Sequence, residues 1–153
     1  MQALACVLGK IMPILMKINK DLIIGDTGKS LYDLTTVTKQ CKTVSTNHTS
    51  DTSVSGARVI QSITLNIQSG KVVMIGSLAL RHSGGTPIIE FIVDNTNCGS
   101  FFASKTDEFY SFNATVGGLS KGNHTFKLRV NQGNASGVVV SAYTASELTV
   151  VEV

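Results

Sequence analysis

The feature that most constrains the fold is the regular alternation of short β-rich runs and turns from Arg58 to Val153. Runs such as VIQSITLNI at 59–67 and TFKLRVN at 125–131 are rich in branched and aromatic side chains. Clusters of Gly, Ser and Asn separate the runs, and no segment has the periodicity of a long helix. Because the gaps are short, they suit antiparallel pairing rather than helical crossovers. The pattern predicts an all-β, antiparallel β-sandwich that is jelly-roll-like, with about eight strands.

Alternation within the runs predicts which side chains form the core. In the run at 125–131, Phe126, Leu128 and Val130 face one way, while Lys127 and Arg129 face the other. The run KVVMIGSLALR at 71–81 is apolar on both faces, which predicts a central strand. The predicted buried set is Ile63, Leu65, Val73, Ile75, Leu78, Leu80, Ile89, Phe91, Val93, Phe126, Leu128, Val130, Leu148 and Val150.

Two segments of different composition precede this predicted sandwich domain of residues 58–153. Residues 1–34 mix apolar runs with glycine, and we interpret them as an attachment or oligomerisation segment. Residues 35–57 are small and polar and cannot bury enough apolar area to fold alone, so they predict a connector or surface loop.

The first twenty residues are apolar but lack the marks of a targeting segment. No charged n-region or A-x-A site is present, and the apolar run is too short to span a bilayer. We therefore expect no membrane insertion. Two interpretations stay open: an amphipathic helix that packs on a partner, or a chain whose true start is Met16 rather than Met1.

Charge and cysteine content restrict the partners and the compartment. The formal net charge is +3, and the 13 basic residues are scattered rather than gathered in a stripe, so no nucleic-acid partner is expected. Cys6, Cys41 and Cys98 are far apart and form no CxxC pair. They predict free thiols in a chain made in a reducing cytoplasm.

The segment IIGDTGKS at 23–30 partly matches a phosphate-binding loop. Gly28, Lys29 and Ser30 fit the end of G-x-x-x-x-G-K-[ST], but Ile23 stands where the first glycine belongs. Only glycine supplies the backbone freedom that the phosphate cradle needs. The segment predicts a glycine turn between two short strands and no nucleotide hydrolysis at Lys29.

Other side chains that could carry chemistry show no recognised spacing. The histidines border turns or lie in the polar segment: His48, His82 and His124. Four acidic residues lie in the middle of the predicted sandwich: Glu90, Asp94, Asp107 and Glu108. A glycosidase needs two carboxylates facing each other across a cleft, whereas Asp94 and Asp107 stand where turn caps are expected. We predict no enzyme activity and no catalytic, cofactor or metal site, and the ligand-binding residues stay unknown.

Several turn–strand patterns resemble the jelly-roll domains of bacteriophage virion appendage proteins of the tail-fibre, head-fibre or receptor-binding type. They are GGLSKGNHTFKLRV at 117–130, LRHSGGTPIIEFIVDNTN at 80–97, ELTVVEV at 147–153 and INKDLIIGDTGKSLYDL at 18–34. The resemblance implies a virion structural protein, assembled in the host cytoplasm, that displays a β-sandwich head for host attachment. It also implies a homotrimer whose N-terminal part docks on other virion proteins, and no receptor-contact residues transfer.

Apolar side chains in the N-terminal segment agree with such an assembly. A symmetric oligomer would bury them against their own copies. They are Leu15, Ile18, Leu22, Ile23, Ile24, Leu31 and Leu34.

The alternative class is an extracellular carbohydrate-binding or adhesin module that acts as a monomer. Sugar platforms stack on aromatic rings that share one exposed face. Trp is absent, and the tyrosines are limited to Tyr32, Tyr110 and Tyr143. This composition favours the virion interpretation, in which a host-surface glycan is one candidate receptor.

Overall fold

The computed structural model describes residues 40–142 and 144–153, together with the strand backbone at Ile23–Ile24 and Lys29–Ser30. Contacts divide the chain into two units, Met1–Thr38 and Lys39–Val153. The described strands are β1 (Ile23–Ile24), β2 (Lys29–Ser30), β3 (Cys41–Thr46), β4 (Thr52–Ser53), β5 (Ala57–Ile67), β6 (Lys71–Ser83), β7 (Ile88–Val93), β8 (Thr96–Phe102), β9 (Glu108–Gly117), β10 (Gly122–Asn131), β11 (Ser136–Val140) and β12 (Ser146–Glu152). Within the described residues there is no helix with the length and apolar character needed to cross a membrane.

The first unit contains a short antiparallel pair, β1 and β2, in which Ile23 lies opposite Ser30 and Ile24 opposite Lys29. The predicted short strands on either side of the glycine turn are therefore confirmed. Lys29 lies in a strand, whereas the lysine of a phosphate-binding loop opens a helix. The apolar side chains assigned to oligomerisation lie outside the described residues, as do Cys6, Tyr32 and Tyr143.

The second unit is a sandwich of two antiparallel sheets. The four-stranded sheet has the order β5-β10-β7-β8. In the six-stranded sheet β6 is central, and β9 pairs along one of its edges. Along its other edge β6 pairs with β12 and then with β11. The outer neighbour of β12 is β3, and the outer neighbour of β11 is β4. The chain crosses between the sheets after β4, β5, β6, β8, β9 and β10. The prediction of an all-β, jelly-roll-like antiparallel sandwich is confirmed.

The core lies between the two sheets and follows the alternation of the strands. In β10, Phe126, Leu128 and Val130 are fully buried, while Lys127 and Arg129 on the other face are half-buried. Side chains of directly paired residues in neighbouring strands point to the same face of the sheet, so each strand adds its alternate residues to the core. All the predicted core residues are buried except two on β6, Val73 and Ile75.

The side chains of β6 that face the core differ from the predicted ones. Met74 and Leu78 are fully buried, so the alternate positions face outward: Val73 is half-buried and Ile75 is 44% exposed. Predicting Val73 and Ile75 to be buried together with Leu78 was wrong, because odd and even positions of a strand point to opposite faces and only the even positions face the core here. A strand that is apolar on both sides offers no alternation from which to choose the inner face. The prediction that it is central is confirmed by its pairing with β9, β11 and β12.

From residue 41 onward, the polar segment at 35–57 also differs from its prediction as a connector or surface loop. Cys41–Thr46 pairs antiparallel with β12, and Thr52–Ser53 pairs with β11. Backbone hydrogen bonds hold these edge strands although most of their side chains are exposed, so a hydrophobic pattern could not reveal them. Val54 adds a buried side chain to the core.

The turn after β7 is short, because β8 already begins at Thr96. The turn needs only Asp94 and Asn95, whose φ angles of 50° and 86° are those of a tight two-residue hairpin. Asn and Asp tolerate these angles better than most residues, so a two-residue loop suffices.

Candidate functional site

A groove of about 310 Å³ lies where β6, β9 and the β11–β12 loop meet. Its lining combines an aromatic ring, charged groups and hydroxyl groups: Ala79, Leu80, Arg81, Asp107, Glu108, Phe109, Ser141 and Thr144. We call it the Arg81 groove. Its walls come from three parts of the chain that the six-stranded sheet brings together.

The register of β6 and β9 positions the central side chains of the Arg81 groove. Leu80 is fully buried, so Arg81 projects from the outer face of the sheet. Phe109 lies opposite Ala79 on this outer face and is 56% exposed. Asp107 precedes β9 with a φ of 57°, a left-handed conformation that aspartate adopts more readily than most residues.

Arg81 is held between two carboxylates. Its guanidinium makes a short ion pair with Asp51, and its Nε lies 3.7 Å from Oδ1 of Asp107. The other oxygen of Asp51 accepts the backbone N–H of Ala142 at 2.9 Å. Asp51 therefore ties the β3–β4 loop both to β6 and to the β11–β12 loop, which fixes one wall of the groove.

The charges around the Arg81 groove sum to a slightly acidic site. Glu108 Oε1 lies 3.2 Å from Lys105 Nζ, and both side chains are exposed. Three carboxylates, Asp51, Asp107 and Glu108, stand against two cations, Arg81 and Lys105, which leaves a formal charge of −1. The groove therefore offers mainly hydrogen-bond acceptors, with the Arg81 guanidinium and the Lys105 ammonium as charged donors.

Two buried polar atoms of the lining have no hydrogen-bond partner among the described residues: Thr144 Oγ1 and Arg81 Nε. Buried polar atoms are nearly always satisfied by protein, water or ligand, because leaving them unpaired is unfavourable. An exposed ring beside such atoms can bind a molecule that has one apolar face and a polar rim.

Comparison with known proteins gives only distant similarities. No family model and no curated protein sequence matches the chain. It is similar to dimeric latent PorU from Porphyromonas gingivalis, with a TM-score of 0.48 and 9% identity over 74% of this chain and 13% of PorU. The VP2 subviral particle of infectious bursal disease virus has a TM-score of 0.47 and 14% identity over 76% of this chain and 33% of VP2. The C-terminal domain of EclA, a sugar-binding protein, has a TM-score of 0.41 and 12% identity over 83% of this chain and 89% of that domain.

The chain spans only 13% and 33% of the first two of these structures. At such identities and TM-scores, none of the three indicates what this chain binds.

The three histidines predicted as turn residues lie in separate places. His48 Nε2 lies 2.8 Å from Ser146 Oγ, and His82 Nε2 lies 3.2 Å from the carbonyl oxygen of Lys105. In the described part of the chain, no group of three or more His, Cys, Asp or Glu side chains is placed to share a metal ion. Cys41 and Cys98 are free thiols.

His124 belongs to a Ser-His-Asp arrangement that is structural. Its Nδ1 lies 2.5 Å from Asp94 Oδ2, and its Nε2 lies 3.4 Å from Ser120 Oγ. In a catalytic triad Nε2 must accept the serine proton. Here Nε2 lies 2.8 Å from the carbonyl oxygen of Ser120 and donates to it. Asp94 Oδ1 accepts the N–H of Thr125 at 2.7 Å, so the arrangement fastens the β7–β8 turn to β10.

The pKa shifts of His124 and Asp94 define the pH range in which this pair stabilises the fold. The hydrogen bond to Asp94 and that to Ser120 raise the pKa of His124 above 6.5, although burial opposes them. The N–H of Thr125 lowers the pKa of Asp94 below 3.8 against the effect of burial, and His124 adds to the lowering. The histidine contribution is complete below pH 6.5 and is lost as pH rises through its folded pKa. The aspartate contribution is present above pH 3.8 and is lost as pH falls through its folded pKa.

The four acidic residues singled out in the sequence lie in three places. Asp107 and Glu108 share the Arg81 groove, and Asp94 lies at the β7–β8 turn. Glu90 is buried on the outer side of the four-stranded sheet, where it accepts hydrogen bonds from Arg129 Nε at 2.8 Å and Asn97 Nδ2 at 3.0 Å. Asp107 and Glu108 are chain neighbours on one wall of the groove.

Sequence reasoning missed the aromatic rings that are exposed. The tyrosines were the expected sugar platforms, but the Tyr110 hydroxyl donates to the Lys105 carbonyl at 2.6 Å and supports the β8–β9 loop. Among the residues that the structure describes, the exposed rings are Phe102, at 68%, and Phe109, at 56%. For Phe109 a signal existed, because it shares a strand face with Ser111 and Asn113, which is unusual for a core aromatic residue.

Proposed function

We propose that this chain is a non-enzymatic attachment protein whose β-sandwich binds a host-surface glycan in the Arg81 groove. The observation that carries the proposal is the Phe109 ring, 56% exposed in a groove lined by carboxylate, guanidinium and hydroxyl groups. A sugar ring has an apolar face that can stack on an aromatic ring and hydroxyl groups that can bond to the polar lining.

The charges of the Arg81 groove favour a neutral or amino sugar over an acidic one. The guanidinium of Arg81 is already paired with Asp51 and Asp107. A sulfated or carboxylated sugar would therefore meet a net negative site, and like charges in an interface are strongly unfavourable. Hydroxyl groups, in contrast, can donate to Asp107 and Glu108.

The resemblance to phage appendage proteins supports display on a virion as a tail-fibre, head-fibre or receptor-binding protein. In that setting the N-terminal segment docks on other virion proteins, and the sandwich faces outward. Homotrimeric display would present three weak glycan sites together and raise avidity without a tighter individual site. The alternative, an extracellular adhesin or carbohydrate-binding module, would use the same groove as a monomer.

The oligomeric state separates these two settings. We expect light scattering of the full chain at micromolar concentration to give three times the 16.2 kDa mass of one chain. A monomeric mass would contradict the trimer and favour the extracellular module, with the groove chemistry unchanged.

Phe109→Ala is expected to weaken glycan binding about tenfold or more, because an aromatic anchor at the centre of a site carries much of the binding energy. The measurement is a glycan array of neutral, amino and acidic oligosaccharides, probed with the full chain. The matched control is Ile75→Ala, which removes another exposed apolar side chain, 44% exposed on the same sheet face. Absence of glycan binding by the wild type, or binding by Phe109→Ala at the wild-type level, would contradict the proposal.

A further inference from the structure

We propose that the sandwich carries a second, independent sugar site beside Phe102, on the outer face of the four-stranded sheet, and that this site takes an uncharged saccharide. The Phe101 ring packs in the core, with its centroid 4.9 Å from that of Phe112. The next residue of β8, Phe102, therefore projects from the opposite face of its sheet. Phe109 projects from the outer face of the six-stranded sheet. The inference goes beyond the proposed function, because the second site shares no lining residue with the Arg81 groove.

The second site is a groove of about 470 Å³. Its lining is Thr86, Ile88, Phe102, Ser104, Gly133 and Asn134. We call it the Phe102 groove. Phe102 is 68% exposed, and none of these six residues is ionisable. A charged ligand would meet no counter-charge from this lining, whereas an uncharged sugar can stack its apolar face on the ring and bond to the hydroxyl and amide groups.

Two turns that pack backbone against backbone shape the Phe102 groove. They are the β6–β7 turn and the β10–β11 turn. A Cβ added at Gly85 would collide with the carbonyl oxygen of Asn134, and one added at Gly133 would lie 2.8 Å from the carbonyl oxygen of Thr86. Glycine at both positions lets the turns approach this closely. The groove is thus formed before a ligand arrives, which lowers the entropy cost of binding.

Hydrogen bonds orient the polar and aromatic groups of the Phe102 groove. Asn134 Oδ1 accepts the backbone N–H of Thr86 at 2.8 Å, which fixes the side-chain amide on the β6–β7 turn. The same amide carries two N–H donors, which can serve a sugar hydroxyl or ring oxygen. The Ala103 N–H donates to the Pro87 carbonyl at 3.0 Å and holds the end of β8, where Phe102 lies, against the start of β7.

The Phe102 groove is expected to be the weaker of the two sites. It offers a sugar only uncharged hydrogen-bonding groups, and these are weaker partners than ionised ones. We expect a dissociation constant in roughly the millimolar range. A washed glycan array does not retain such a ligand, so the array reports on the Arg81 groove. On a surface that displays many copies, weak sites on both outer faces would raise avidity and could link two glycan chains.

The test is a nuclear magnetic resonance titration of the full chain with neutral trisaccharides of glucose, mannose and N-acetylglucosamine, each carried to millimolar concentration. We expect saturable shifts in the Phe102 ring and the Asn134 side-chain amide for at least one of them. Phe102→Ala should weaken the binding seen at Asn134 about tenfold or more. Phe109→Ala should leave the binding seen at Asn134 unchanged.

The control is Val59→Ala, which removes a side chain that is 46% exposed on the same sheet and outside the groove lining, and which should bind as the wild type does. Since Phe102 is 68% exposed, its replacement should leave thermal unfolding unchanged.

Absence of saturable shifts at Asn134 in the wild type, or equal shifts in Phe102→Ala, would overturn the second site, whatever the Phe109 ring does. Shifts at Asn134 that grow with protein concentration in the absence of sugar would show that the groove takes a second copy of the chain, and would overturn it too. Saturable shifts at Asn134 with Phe109 unmoved by every sugar would support the second site and contradict the proposed function.

Discussion

Phe91→Ala is expected to lower the free energy of unfolding by about 3–5 kcal/mol. Phe91 is fully buried, and its ring centroid lies 5.2 Å from that of Phe112 and 6.0 Å from that of Phe101. This aromatic cluster joins the four-stranded sheet to the six-stranded sheet. Removing the central ring leaves a cavity that the two sheets cannot close by local collapse.

Gly76 shows how tightly this region is packed. A Cβ built there would lie 2.8 Å from a ring atom of Phe112 and 3.0 Å from ring atoms of Phe91. The two rings therefore occupy the space over the glycine on the inner face of β6. Any other residue at 76 would push the rings apart.

Urea unfolding followed by circular dichroism tests the Phe91 prediction. Phe102→Ala is the matched control, because it makes the same substitution at a ring that is 68% exposed, and it should change stability by less than about 0.5 kcal/mol. Equal losses in the two variants would show that Phe91 does not lie in a packed core.

Glu152→Ala is expected to destabilise the protein by about 1–3 kcal/mol, because it removes the buried carboxylate that three backbone N–H groups share as their acceptor. Glu152 is fully buried, and its Oε1 accepts the N–H groups of Gln68 and Ser69, each at 2.5 Å. Its Oε2 accepts the N–H of Gln40 at 3.4 Å. One carboxylate thus joins the β5–β6 turn and the residue before β3 to the end of β12.

The contribution of Glu152 to the free energy of unfolding depends on pH. Burial raises the pKa of Glu152, but the N–H groups of Ser69 and Gln68 more than offset it, so the folded pKa lies below 4.5. The contribution is present above pH 4.5 and is lost as pH falls through the folded pKa. Denaturant unfolding at several pH values measures it. Glu147→Ala, an exposed glutamate on the same strand, is the control, and a similar loss there would contradict the role of Glu152.

The strands of the sandwich could be predicted because the alternation of apolar and polar residues within each strand is a local signal. Alternation in β10 identifies Phe126, Leu128 and Val130 as buried without knowledge of any partner strand. Glycine and asparagine marked the turns in the same way. The phase of β6 could not be chosen, since Val73 and Ile75 are as apolar as the residues that face the core.

The edge strands and the groove depend on distant parts of the chain. Thr43 of β3 bonds to Thr149 of β12, 106 positions away, and nothing local marks a run of small polar residues as a strand. Arg81 of β6 likewise meets Asp51 and Asp107 only after two loops, β3–β4 and β8–β9, come together beside it. The sequence did indicate that Phe109 is exposed, because it shares a strand face with Ser111 and Asn113.

A nuclear magnetic resonance titration of the full chain with the best-binding glycan of the array locates the binding site directly. Glycan binding in the Arg81 groove predicts shift changes in the Phe109 ring and in the backbone around Arg81, Asp107 and Thr144, and small changes near the Asp94–His124 pair. Saturable shifts that cluster at the Asp94–His124 pair or on another face, with Phe109 unmoved, would contradict glycan binding in the Arg81 groove.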